Sequence, residues 1–82
     1  MQQILKNLCE LQRQAFIKRI SFDTDLSVGQ DSESIDVKLT YITNGSITRR
    51  YMFETTFTSN MTDDEKDNKL TSIQHFITTV TE

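Results

Sequence analysis

Apolar residues recur with two different periods along this chain. Over residues 1 to about 15, Met1, Ile4, Leu5, Leu8, Leu11 and Ala15 fall at spacings of three and four, separated by polar and charged side chains. That spacing predicts an amphipathic helix. From Lys18 the period becomes two: Ile20, Phe22, Thr24, Leu26 and Val28 alternate with Arg19, Ser21, Asp23, Asp25 and Ser27, the pattern of a half-buried strand. Residues 29–33, Gly-Gln-Asp-Ser-Glu, are polar turn formers and predict a surface loop. A second alternation follows, with Ile35, Val37, Leu39 and Tyr41 on one side and Asp36, Lys38 and Thr40 on the other. Asn44-Gly45 marks a hairpin, after which Ile47, Arg49, Tyr51, Phe53, Thr55 and Phe57 define a third strand. Thr62, followed by Asp63-Asp64-Glu65, is a helix start signal, with the threonine capping the Glu65 amide and acidic residues at the positive end of the helix dipole. Leu70, Ile73, Phe76, Ile77 and Val80 then share one helical face.

The hairpin register follows from parity. A two-residue loop at Asn44-Gly45 would oppose the apolar set of the second strand to the polar set of the third and split the core face. A three-residue loop, Thr43-Asn44-Gly45, keeps the apolar sets together. It pairs Tyr41 with Ile47, Val37 with Tyr51 and Ile35 with Phe53, and puts Gly45 in the left-handed position of a bulged turn. Its weak point is Lys38 opposite Arg50, a like-charge pair. The predicted fold is α+β, in the order α-β-β-β-α: a three-stranded antiparallel meander with both helices packed on one face. The other face is left open and polar. It carries Arg19, Ser21, Asp23, Asp25 and Ser27, then Asp36, Lys38 and Thr40, then Thr48, Arg50, Met52, Glu54, Thr56 and Thr58.

Composition narrows the chemistry. With 82 residues, of which 22 are Leu, Ile, Val or Phe, the chain is expected to form one domain, residues 1–82, with a thin core that self-association would help. Two glycines, Gly29 and Gly45, cannot build a phosphate-binding loop. One cysteine and one histidine exclude a disulfide, a thiolate zinc site and the familiar triads. Neither a membrane-spanning run nor a signal-peptide pattern is present, so a reducing cytoplasm is expected. Cys9 reads as a small packing residue and His75 as an exposed one. The matches at Asn44-Gly45-Ser46 and Asn60-Met61-Thr62 to a glycosylation sequon are what chance gives among 19 Ser and Thr residues.

Charge runs in blocks beneath a net −3. Residues 20–36 contain Asp23, Asp25, Asp31, Glu33 and Asp36 and no basic residue, whereas residues 37–58 carry Lys38, Arg49 and Arg50 against Glu54. A calcium loop fails on spacing: counting from Asp23, the sixth position is Val28 rather than glycine and the twelfth is Ser34 rather than glutamate. The acidic segment therefore reads as a patch for a basic partner.

The predicted element order resembles that of double-stranded RNA-binding domains. The resemblance is one of topology. The last helix sets Lys66 and Lys69 against Asp63, Asp64, Glu65 and Asp67, where phosphates would call for a basic face. A nucleic-acid reading would rest on Lys18, Arg19, Lys38, Arg49 and Arg50.

The leading expectation is a non-catalytic protein-binding module without cofactor or metal. Its partner-binding residues are Asp23, Asp25, Asp31, Glu33 and Asp36, with Arg49 and Arg50 at the hairpin tip, and its partner is a host protein or complex with a basic surface. A bias toward residues with AT-rich codons, 27 of them against seven with GC-rich codons, suits a small phage or prophage inhibitor or adaptor of the anti-defence type, acting in a bacterial cytoplasm. A nucleic-acid-binding domain and an accessory subunit of a homo-oligomeric assembly are the other readings.

Overall fold

The computed structural model describes residues 2–81, so Met1 of the first predicted stripe lies outside the described residues. The element order is α1 (Gln2–Ile17), β1 (Ser21–Val28), β2 (Glu33–Ile42), β3 (Arg50–Thr58) and α2 (Asp63–Val80). The strands form one antiparallel meander in the order β1-β2-β3. The expected α-β-β-β-α fold is thus the observed one.

Every buried sheet residue lies on one face. Ile35, Val37 and Leu39 of β2 and Phe57 of β3 are buried there, together with Ile4, Leu8, Leu11 and Ala15 of α1 and Ile73 and Ile77 of α2. Both helices therefore cover the same side of the sheet. They run parallel: Ile4 lies near Asp63 and Lys66, Leu11 near Leu70 and Gln74, and the Lys18 ammonium donates to the Ile77 carbonyl at 3.5 Å. α2 lies over β3, with the Phe53 and Phe76 ring centroids 5.7 Å apart and the Lys69 ammonium 3.2 Å from the Thr55 hydroxyl.

The end of α1 corrects the predicted strand start. Lys18 and Arg19 do not begin β1 but close the helix. The Ile20 amide donates to the Ala15 carbonyl at 2.8 Å and the Arg19 amide to the Phe16 carbonyl at 3.1 Å, the pair of bonds that defines a Schellman cap. Such a cap needs a left-handed residue, and Arg19 supplies it with φ 62°. Ile20 and Ala15 are both buried, so the turn is fastened to the core. The α2 start is as expected: the Thr62 hydroxyl accepts from the Glu65 amide at 3.2 Å and donates to its carboxylate at 3.1 Å.

The β2–β3 register also differs from the three-residue loop. Observed partners are Tyr41 with Tyr51, Leu39 with Phe53, Val37 with Thr55 and Ile35 with Phe57. The loop is longer, bracketed by the Thr43 amide on the Arg49 carbonyl at 2.9 Å, and the Thr43 hydroxyl accepts from the Arg49 amide at 3.0 Å. Ile47 falls in that loop and is exposed, and neither glycine has a positive φ. Two physical gains accompany the slip. Phe57 moves opposite Ile35 into the middle of the core, and Lys38 faces Glu54 at 3.9 Å instead of Arg50.

β1 departs from the half-buried pattern. Ile20 just before it is buried and Phe22 is partly covered, but Leu26 and Val28 are exposed. Because α1 stays beside α2 along its length, the far half of β1 has no helix above it.

Candidate functional site

Cross-strand pairing assembles the open face row by row. Ser21, Thr40 and Met52 form one row; Asp23, Lys38 and Glu54 the next; Asp25, Asp36 and Thr56 the third. Residues directly opposite on neighbouring strands share a face at about 4.8 Å strand spacing, and successive rows on that face lie about 7 Å apart. Two adjacent rows thus hold four carboxylates, Asp23, Asp25, Asp36 and Glu54, around the single amine of Lys38. All five residues are exposed.

The local contacts leave most of that charge free. The Lys38–Glu54 pair, at 3.9 Å and exposed on both sides, neutralises little. Asp36 accepts a hydroxyl bond from Thr56 at 2.7 Å, which fixes its carboxylate while keeping its charge. Asp25 sits directly opposite Asp36, a like-charge pairing that costs stability. Neighbouring carboxylates of the group lie within about one Debye length, ~8 Å at physiological salt, of one another, so their fields add across the open face.

The seven residues predicted as the site divide into three groups. Asp23, Asp25 and Asp36 share the open face. Asp31 lies in the tight turn closed by the Gly29 amide on the Ser32 carbonyl at 2.8 Å, and Glu33 begins β2 opposite Val28, on the helix side by parity. Arg50 pairs with Ile42 and by parity shares the open face, four residues along β3 from Glu54 and so roughly 13 Å from the nearer acidic row, and roughly 20 Å from Asp36. Arg49 lies just beyond β3, and the two arginines stand at the opposite end of the sheet from Asp31 and Glu33.

Glu54 and Lys38 join the candidate site through the register: alternation alone puts both on the open face, and only the pairing brings Glu54 beside Lys38 and into the acidic rows. Elsewhere, Cys9 is exposed rather than packed, and His75 is exposed as expected. Among the described residues no group of three or more His, Cys, Asp or Glu is placed to hold a metal ion, and no helix is long and apolar enough to cross a membrane.

No protein-family model, curated protein or solved structure matches the chain. Its architecture defines it: a small α+β protein of α-β-β-β-α order, with two parallel helices covering one sheet face except for the far half of β1, and the other face bare and acidic.

Proposed function

We propose that the protein is a non-catalytic protein-binding module whose open sheet face docks on a basic surface of its partner. The observation that carries this reading is the grouping of Asp23, Asp25, Asp36 and Glu54 around one lysine in two adjacent rows. Like charges brought together by folding cost stability, and a complementary surface returns that cost on binding. The same field repels phosphate, which weighs against nucleic acid as the ligand of this face. Small size and residues biased toward AT-rich codons favour an inhibitor or adaptor of the kind phages and prophages direct against host complexes.

The test is charge reversal on the open face. Asp25→Lys combined with Asp23→Lys places two exposed lysines where neither side chain supports the core. The double variant should fold as the native chain does, by circular dichroism, and retain at least about tenfold less of the partner captured by the native protein in parallel. Equal retention of the same partner by both proteins contradicts the assignment.

A further inference from the structure

β1 is an outer strand with a free edge. Counting back by twos from the Gly29–Ser32 pair, Ser21, Asp23, Asp25 and Ser27 exchange their backbone bonds with β2. Phe22, Thr24, Leu26 and Val28 therefore turn their N–H and C=O groups outward. The pairing with β2 is unbroken from Ser21 to Val28, so no bulge twists this edge away, and β1 contains neither proline nor lysine. Those are among the devices by which sheet edges are protected; the charges β1 does carry, Asp23 and Asp25, oppose an acidic or self-paired strand but not a basic one.

The helix side of this edge is mostly apolar and, over its far half, bare, with Glu33 bordering it beside Val28. Leu26 is 54% exposed and Val28 71%. One flank of α1 faces the same way. Its core stripe is Ile4, Leu8, Leu11 and Ala15, and the flank one residue on is Leu5, Cys9, Gln12 and Phe16, of which Phe16 is 82% exposed. Gln12 and Phe16 line one depression together with Phe22 of β1, which places this flank on the β1 side. The result is an apolar lane beside β1, between its uncovered side chains and the outer flank of α1. On the other side of the same strand, Asp23 and Asp25 face the open, acidic surface.

We propose that β1 takes up an extended segment of the partner by strand addition, and that this segment alternates apolar residues with lysine or arginine. A strand laid about 4.8 Å beyond β1 sends alternate side chains to opposite faces. Its apolar residues fill the lane beside Leu26 and Phe16, and its basic residues lie over Asp23 and Asp25. Charge complementarity selects this occupant over a second copy of the chain. β1 paired with its own copy about Thr24 would set Asp23 against Asp25 of the other copy twice over, on a face that Asp36 already makes negative. This inference rests on the acidic-face reading and adds to it the recognition mode and the sequence pattern of the partner.

The experiment uses the whole chain and a fluorescein-labelled peptide of seven residues alternating lysine and valine. Its controls are an isomer with the same residues in two blocks, and two versions N-methylated on either the valine or the lysine amides. Anisotropy should show the alternating peptide binding at least about tenfold more tightly than the block isomer. Only one methylated version should lose affinity, because only one set of amides faces β1: the valine set for an antiparallel addition, the lysine set for a parallel one. Amide exchange at Thr24 and Leu26 should slow in the complex, and Leu26→Lys, at an exposed position, should lower the affinity without changing the fold. If all four peptides bind equally, with salt-sensitive affinity and no slowing at β1, strand addition is overturned while the acidic face stands as a binding surface. If none binds, both fail. If the free chain is dimeric with Thr24 and Leu26 already protected, a second copy occupies the edge and the proposal is wrong.

Discussion

At Arg19 a bulky L-residue holds φ at 62°, a region whose cost for a side chain bearing Cβ is about 1 kcal/mol or more. The cap tolerates it because the two helix-closing bonds and buried Ile20 fix the turn. Arg19→Gly is therefore expected to stabilise the protein by about 1 kcal/mol in urea unfolding, net of glycine's greater freedom in the unfolded chain. An unchanged or lower midpoint would show that the arginine side chain contributes something the cap geometry does not. No sequence signal announced this conformation: glycine or asparagine would have marked it, and Arg19 instead continued the alternation that begins at Lys18. The capping threonine at position 62 was legible because its chemistry is local, needing only Glu65 three residues on.

Strand parity was legible for the same reason that register was not. A face is set by a period of two within one strand, so the odd residues of β2 and β3 meet under both the expected and the observed pairing. The two registers differ by a four-residue slip of one strand, which leaves parity untouched. The discriminating signal lay in charge, with Lys38 opposite Arg50 in one register and opposite Glu54 in the other. Two substitutions separate them. Phe57, fully buried opposite Ile35, should cost about 3–5 kcal/mol when changed to alanine. Ile47, exposed in the loop, should change stability by less than about 0.5 kcal/mol when changed to serine. With the shorter loop the order would invert, since Ile47 would pair with Tyr41 while Phe57 would lie beyond the end of β2. Coverage of β1 was a further matter of tertiary placement. Alternation showed which side was apolar, and only the lean of α1 toward α2 leaves Leu26 and Val28 bare.

The molecule measures 48 × 21 × 17 Å, and its charge is distributed along that length. The acidic rows occupy the middle of the open face, while Asp31 and Glu33 sit at one end of the sheet and Arg49 and Arg50 at the other. Sequence proximity suggested one acidic segment over residues 23–36; folding keeps Asp23, Asp25 and Asp36 together, recruits Glu54 from another strand and sends Asp31 into a turn. If the open face is the binding surface, its carboxylates are covered in the complex and those of the α2 first turn are not. Carbodiimide labelling of carboxylates, read by mass spectrometry with and without the captured partner, distinguishes the two sets within one sample. Labelling of Asp23, Asp25, Asp36 and Glu54 should fall several-fold on binding, while Asp63, Asp64, Glu65 and Asp67 should label as in the free protein. Unchanged labelling of the first set, or protection confined to the second, would contradict the assignment of the open sheet face as the site of recognition.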